Sequence, residues 1–129
     1  MVALARGEGR PPMSAGDIAA AQRIPVKFLE RILSELKRAG YIKSARGAQG
    51  GYLLARPAVG ISLAEIVRTL DGALAPTGCV SKFFYDSTPI EREPGLVDVF
   101  RSIRDFIAEQ MERTTLADVS GRKTRPRSK

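Results

Sequence analysis

Histidine is absent from the 129 residues, and cysteine occurs once, at Cys79. The first absence removes the usual general base near neutral pH and the commonest metal-ligating side chain. The second leaves no partner for an intrachain disulfide, which places the chain in a reducing, cytoplasmic setting. No run of eighteen apolar residues occurs, so no membrane span is expected. The N-terminal stretch lacks the basic start and apolar stretch of a secretion signal. The glycine-rich stretch Gly47–Gly51 has no P-loop lysine, and no cluster of metal ligands stands out. An enzyme is therefore not expected.

What remains is basic. The net charge is +7, but Arg122, Lys123, Arg125, Arg127 and Lys129 lie in the last ten residues with no acid among them. Taking those five from +7 leaves +2 for the other 119 residues. A basic tail is expected over 117–129, either a solubilising end or a non-specific phosphate contact. Net charge alone does not make this a polyanion-binding protein.

Placement makes a stronger case. Residues 1–6 read as the end of a helix with no visible beginning, stopped by Gly7, Gly9 and the Pro11–Pro12 pair. Ser14 followed by Asp17 is a capping-box pattern that opens a short helix over 15–21. After a break over Gln22–Pro25, a second helix runs to Ala39 with Gly40 just past its end. Leu29, Ile32, Leu33 and Leu36 recur on one buried face of that helix, while Lys27, Glu30, Arg31, Ser34 and Arg38 share the other. Two short helices joined by a tight break form a helix-turn-helix pattern, which occurs both in DNA readers and in domains that bind no DNA.

The next residues extend the pattern. Residues 41–46 and 52–55 can pair as strands around the glycine-rich turn, giving a wing flanked by Lys43 and Arg46. Gly47, Gly50 and Gly51 either let the backbone approach a groove closely or serve the turn alone. Ser62 with Glu65 opens a helix over 63–70 that Asp71–Gly72 closes. Residues 73–95 carry prolines and glycines without a sustained period, and a connection this long inside a compact domain is functional or mobile. A last helix over 96–115 has Leu96, Phe100, Ile103 and Ile107 in helical steps, with Val97, Val99, Phe106 and Met111 widening the apolar surface. Such a face either packs on its own domain or pairs with a second copy, and pairing is preferred. The expected architecture is mainly α with a small β-hairpin: a winged helix-turn-helix over 1–72, the loop over 73–95 and a dimerisation helix over 96–116.

The run from Ile18 to Pro57 resembles the Rrf-two family of bacterial winged-helix regulators. The resemblance rests on F-L-E at Phe28–Glu30, L-x-x-A-G at Leu36–Gly40 and S-x-R-G-x-x-G-G-Y over Ser44–Tyr52. ISLAEIVRTLDG over Ile61–Gly72 and TTLADV over Thr114–Val119 extend it. It implies a homodimer, usually a repressor, on a partly palindromic operator in double-stranded DNA. It also implies that Lys27, Glu30 and Arg31 lie on the helix entering the major groove and that Arg46 sits where the wing reaches the minor groove. Glu30 would accept from a cytosine amino group, and the cations would read guanine or hold phosphate. The DNA-contacting set is then Lys27, Glu30, Arg31, Ser34, Arg38, Lys43, Arg46, Gly47, Gly50 and Gly51. A protein-interaction module on the same fold is the competing reading.

Two departures from the family pattern matter. Many members hold an iron–sulfur cluster through three cysteines in the loop before the last helix, whereas this loop has only Cys79. One thiolate per subunit is too few, so no cluster and no other metal is expected. Cys79 is then either a small buried hydrophobe or a redox-sensing thiol, and the effector is a small molecule or an oxidant. The resemblance also implies further residues before the position of Met1 that complete the first helix.

Overall fold

The structure, a computed structural model, describes residues 1–48 and 50–121. Helix α1 (Val2–Arg6) buries Ala3, Leu4 and Ala5 and ends at Gly7. Helix α2 (Ala15–Gln22) starts where sequence places it, because the Ser14 side chain accepts from the Asp17 N–H at 3.1 Å and satisfies one otherwise unpaired donor. The break before α3 (Val26–Arg38) is Arg23–Pro25. Arg23 makes this turn in the left-handed region, at φ 53° and ψ 48°, where a non-glycine residue is uncommon.

Helix α3 buries Leu29, Leu33 and Leu36, spaced by four and three so that all lie on one face. Its end is a Schellman motif. Gly40 at φ 86° donates to the Lys37 carbonyl at 3.1 Å, and Tyr41 donates to the Leu36 carbonyl at 3.0 Å. Tyr41 and Leu36 are both buried, as the apolar pairing that accompanies this motif requires. The chain then turns straight into β1 (Ile42–Ala45), which pairs antiparallel with β2 (Gly51–Leu54). Met13 joins the hairpin through a backbone bridge to Tyr52, with N–H to carbonyl distances of 3.1 and 2.7 Å. A 3₁₀ turn over Ala58–Gly60 follows.

The described chain falls into two compact units, Met1–Ile61 with the residues from Thr115 onward, and Ser62–Thr114. Within the second, α4 (Leu63–Leu70) begins with a complete capping box, Ser62 accepting from Glu65 and Glu65 accepting from the Ser62 N–H. Gly72, at φ 92°, follows its end. The segment between α4 and the last long helix, read in sequence as a loop without a sustained period, contains 3₁₀ turns at Gly78–Val80 and Pro89–Arg92. It is closed by the Asp86 N–H donating to the Gly78 carbonyl at 3.0 Å. Gly78 is required there, since a Cβ would lie 2.7 Å from that of Asp86. The Tyr85 hydroxyl donates to Glu91, and this bond holds the phenol pKa above its ordinary value.

The last long helix, α5, spans Pro94–Arg113 rather than 96–115. Pro94 and Gly95 read as loop residues in sequence, yet proline at the first helical position costs no hydrogen bond. The helix stops at Arg113 because Thr114 and Thr115 turn to extended backbone. Arg68 of α4 bonds Glu112 of α5 at 2.8 Å, and Arg104 of α5 donates to the Val80 carbonyl at 3.0 Å. The tail expected from 117 begins later: α6 (Leu116–Val119) is a capped helix, Thr115 accepting from Asp118 and Asp118 accepting from Thr115. The basic run at 122–129 lies outside the described residues.

Helix α6 returns to the first unit, packing on α1 and the 3₁₀ turn at Ala58–Gly60. Leu116, 1% exposed, donates its N–H to the Ile61 carbonyl at 2.9 Å, and Arg6 donates to the Ser120 carbonyl at 3.3 Å. The core of this unit runs from Leu4 and Ala5 through Ile18, Leu29, Leu33, Leu36 and Ile42 to Ala58, Ile61 and Leu116. Each large aliphatic side chain buried there contributes about 1.5–3 kcal/mol. Among the described residues no helix is long and apolar enough to cross a membrane.

Candidate nucleic-acid interface

The outward face of α3 follows from its inward one. With Leu29, Leu33 and Leu36 committed to the core, Lys27, Glu30, Arg31, Ser34 and Arg38 are all exposed. From Lys27 to Arg38 this face extends about 16 Å at 1.5 Å per residue, with three cations along it. Among the described residues one of these side chains is in an ion pair: Arg31 Nε lies 3.7 Å from Glu35 Oε1 with the arginine side chain 79% exposed. A pair so solvated holds the guanidinium weakly, by about 0.3–0.5 kcal/mol, and leaves it free to change partner.

The hairpin is fastened to the helix by a bond that sequence reading did not find. Lys37 Nζ donates to Ser44 Oγ at 2.9 Å, joining the last turn of α3 to β1. Sequence reading also left Phe28 as a motif residue only. It is 57% exposed in the first turn of α3, beside Val26 at 46%. Its position off the buried 29, 33, 36 spacing was the available signal. First-turn residues of a helix that enters a groove meet base edges, and an apolar side chain there meets a thymine methyl.

On the wing, Lys43 and Arg46 are exposed. The three glycines each have a conformational reason. Gly47 takes φ 110°. At Gly50 a Cβ would fall 2.6 Å from the Ala45 carbonyl oxygen, and at Gly51 it would fall 2.4 Å from that of Met13. The turn itself and the bridge to Met13 therefore account for all three. Gln49 lies outside the described residues. Helix α3 and the hairpin belong to the same unit, so Lys27, Glu30, Arg31, Ser34 and Arg38 are displayed from one body with Lys43, Arg46, Gly47, Gly50 and Gly51. Cys79 lies in the other unit, half-buried in the Gly78–Val80 turn, with Thr77 Oγ1 4.0 Å from its sulfur.

A helix-turn-helix followed at once by an antiparallel hairpin defines the winged-helix class of proteins. Residues 1–122 match the Rrf2 family, described as iron-dependent transcriptional regulators. A protein of Mycobacterium tuberculosis assigned as an HTH-type transcriptional regulator is 40% identical over 121 residues, covering 94% of this chain and 74% of that one. The structure of CymR, the global cysteine regulator of B. subtilis, aligns with a TM-score of 0.74 and 32% identity over 95% of this chain and 88% of its own. That of T. potens IscR gives 0.70 and 32% over 91% and 74%. The chain belongs to the Rrf2 family and is a winged-helix, DNA-binding transcriptional regulator.

The family description names iron, and the donors present do not fit an iron–sulfur cluster. Such clusters are held by several thiolates, with imidazole as the usual substitute. Cys79 is the chain's one thiol and histidine is absent. Among the described residues no three of His, Cys, Asp and Glu gather as ligands.

Proposed function

We propose that the chain acts as a homodimeric, sequence-specific repressor that reads DNA with α3 and the wing. It resides in the cytoplasm, has no catalytic role, and works without an iron–sulfur cluster. The observation that carries this reading is the exposed face of α3, where Lys27, Arg31 and Arg38 flank Glu30 and Ser34 on a helix joined by Lys37 to the wing. The cations supply phosphate contacts and guanine recognition, and Glu30 supplies a base-specific acceptor. Lys43 and Arg46 place charge on the wing, for the flanking minor groove or its phosphates. Repression is supported by the family resemblance.

Self-association is supported by α5. Its outward residues Leu96, Val99, Ile103 and Phe106 are 48, 55, 41 and 64% exposed and follow steps of three, four and three. That is the seam of a two-helix coiled coil, which a second copy of the same helix covers with like side chains. The test is a footprint upstream of the protein's own gene combined with a salt titration. A two-fold protected site with affinity falling steeply in salt supports the reading. Affinity that is weak, salt-insensitive and indifferent to sequence refutes it and favours a protein-interaction module.

A further inference from the structure

We propose that the first unit carries a binding site for a small amphipathic carboxylate at the foot of the wing. A cavity of about 470 Å³ opens there, and no residue of α3 lines it. Small-molecule sites fall in the range of about 300–1,000 Å³. The wall is largely apolar, formed by Leu4 of α1, by Met13, and by Leu53 and Leu54 of β2. Arg10, Lys43 and Arg56 line the same space, with Glu8 the one carboxylate among the described lining residues, and Arg56 is already engaged, donating to the Gly60 carbonyl at 2.9 Å. Glu8 Oε2 is engaged by the Ala58 N–H at 2.7 Å.

An apolar wall beside an excess of positive charge selects a ligand that is apolar at one end and anionic at the other. A neutral hydrocarbon makes no use of Arg10 and Lys43, while a free phosphate leaves the wall in contact with water. The long stems of arginine and lysine suit this use, because they cover apolar surface while keeping their charge at the opening. The position also has consequences for the reading elements. Met13 exchanges two backbone hydrogen bonds with Tyr52 of the wing and directly precedes Ser14, which caps α2. A ligand in the cavity therefore touches both the hairpin and the entry to the helix-turn-helix. Its binding does not depend on the DNA-binding reading, and the test uses protein without an operator.

The whole chain, labelled with carbon-13 at its methionine methyls, is titrated with octanoate and, separately, with octyltrimethylammonium as a cation of matched chain length. Met13 lines the cavity, whereas Met111 lies on α5 and serves as an internal control. Octanoate is expected to shift the Met13 resonance saturably and leave Met111 in place, while the ammonium shifts neither resonance. The double variant Arg10→Gln/Lys43→Gln is expected to weaken octanoate binding about fivefold, in line with two solvated ion pairs, with an unchanged melting temperature. Equal responses to the two amphiphiles overturn the proposal, as does unchanged octanoate affinity in the folded double variant. A Met13 resonance that moves with a random DNA duplex and not with octanoate also overturns it, and assigns the cavity to phosphate contact.

Discussion

Gly51 and Met13 lie back to back, so close that a Cβ on the glycine would fall 2.4 Å from the Met13 carbonyl oxygen. The contact holds the lead-in to α2 against β2. Gly51→Ala is expected to lower stability by about 1–3 kcal/mol through this overlap. Gly16, in the first turn of α2, has Ser14 Oγ 3.8 Å from the corresponding position, and Gly16→Ala is expected to raise stability by about 0.5 kcal/mol. Urea unfolding of the two variants checks both signs.

The helix-turn-helix holds two left-handed residues, Arg23 and Gly40, and they are expected to respond in opposite directions. Arg23→Gly removes a steric cost of about 1 kcal/mol from the folded state, offset in part by a freer unfolded chain, and should leave stability equal or slightly higher. Gly40→Ala places a Cβ in the same region and should cost about 1 kcal/mol, with the C-terminal turn of α3 losing amide protection. Denaturant melts and hydrogen exchange at Tyr41 measure these effects.

On DNA, single charges should separate affinity from specificity. Lys27→Ala or Arg31→Ala should each reduce the slope of log affinity against log salt by about 1. Glu30→Ala should relax base preference at one position of each half-site by about 1–3 kcal/mol while leaving the salt slope unchanged. Arg46→Ala should weaken binding at the flanks of the site. Fluorescence anisotropy on operator and single-base variants, at several salt concentrations, resolves these cases.

For α5, Phe106→Glu should convert a dimer to a monomer without loss of helix content. Removing one side chain from each of two copies withdraws about 3 kcal/mol of apolar burial, roughly a hundredfold in dissociation constant. Sedimentation equilibrium together with circular dichroism checks it. A dimer that survives the substitution unchanged would place the partner elsewhere.

Elements governed by short-range rules were legible in the sequence. Ser14 and Ser62 open helices because a side-chain oxygen three residues before a backbone N–H satisfies it wherever it occurs, and Gly40 closes α3 for an equally local reason. The wing was legible because a glycine-rich turn lies between two short runs that can pair. The two faces of α5 were not. Sequence grouped Leu96, Phe100, Ile103 and Ile107, but Leu96 and Ile103 are exposed with Val99 and Phe106, whereas Phe100 and Ile107 are half-buried. Apolar residues at so many positions satisfy two overlapping helical stripes, and only the contacts with α4 and the 3₁₀ turns separate them. Helix α6 was missed even though T-x-x-D at Thr115–Asp118 is itself a capping signal, because four residues make no readable period. On the interface, exposure of the α3 cations was legible from the buried leucines. The Lys37–Ser44 bond joins residues seven apart across the helix end and left no pattern.

The placement of Leu116 fixes an order of events during synthesis. Its side chain belongs to the core of the first unit and its N–H to Ile61, yet more than fifty residues of the second unit are made between them. A ribosome that has released Ile61 has therefore not yet delivered everything that core requires. The surface of α1 and the Ala58–Gly60 turn that α6 covers is filled only once the whole second unit and the turn after Arg113 have emerged. Domains usually close in the order in which they leave the ribosome; here the first unit to begin is the last to receive all of its residues.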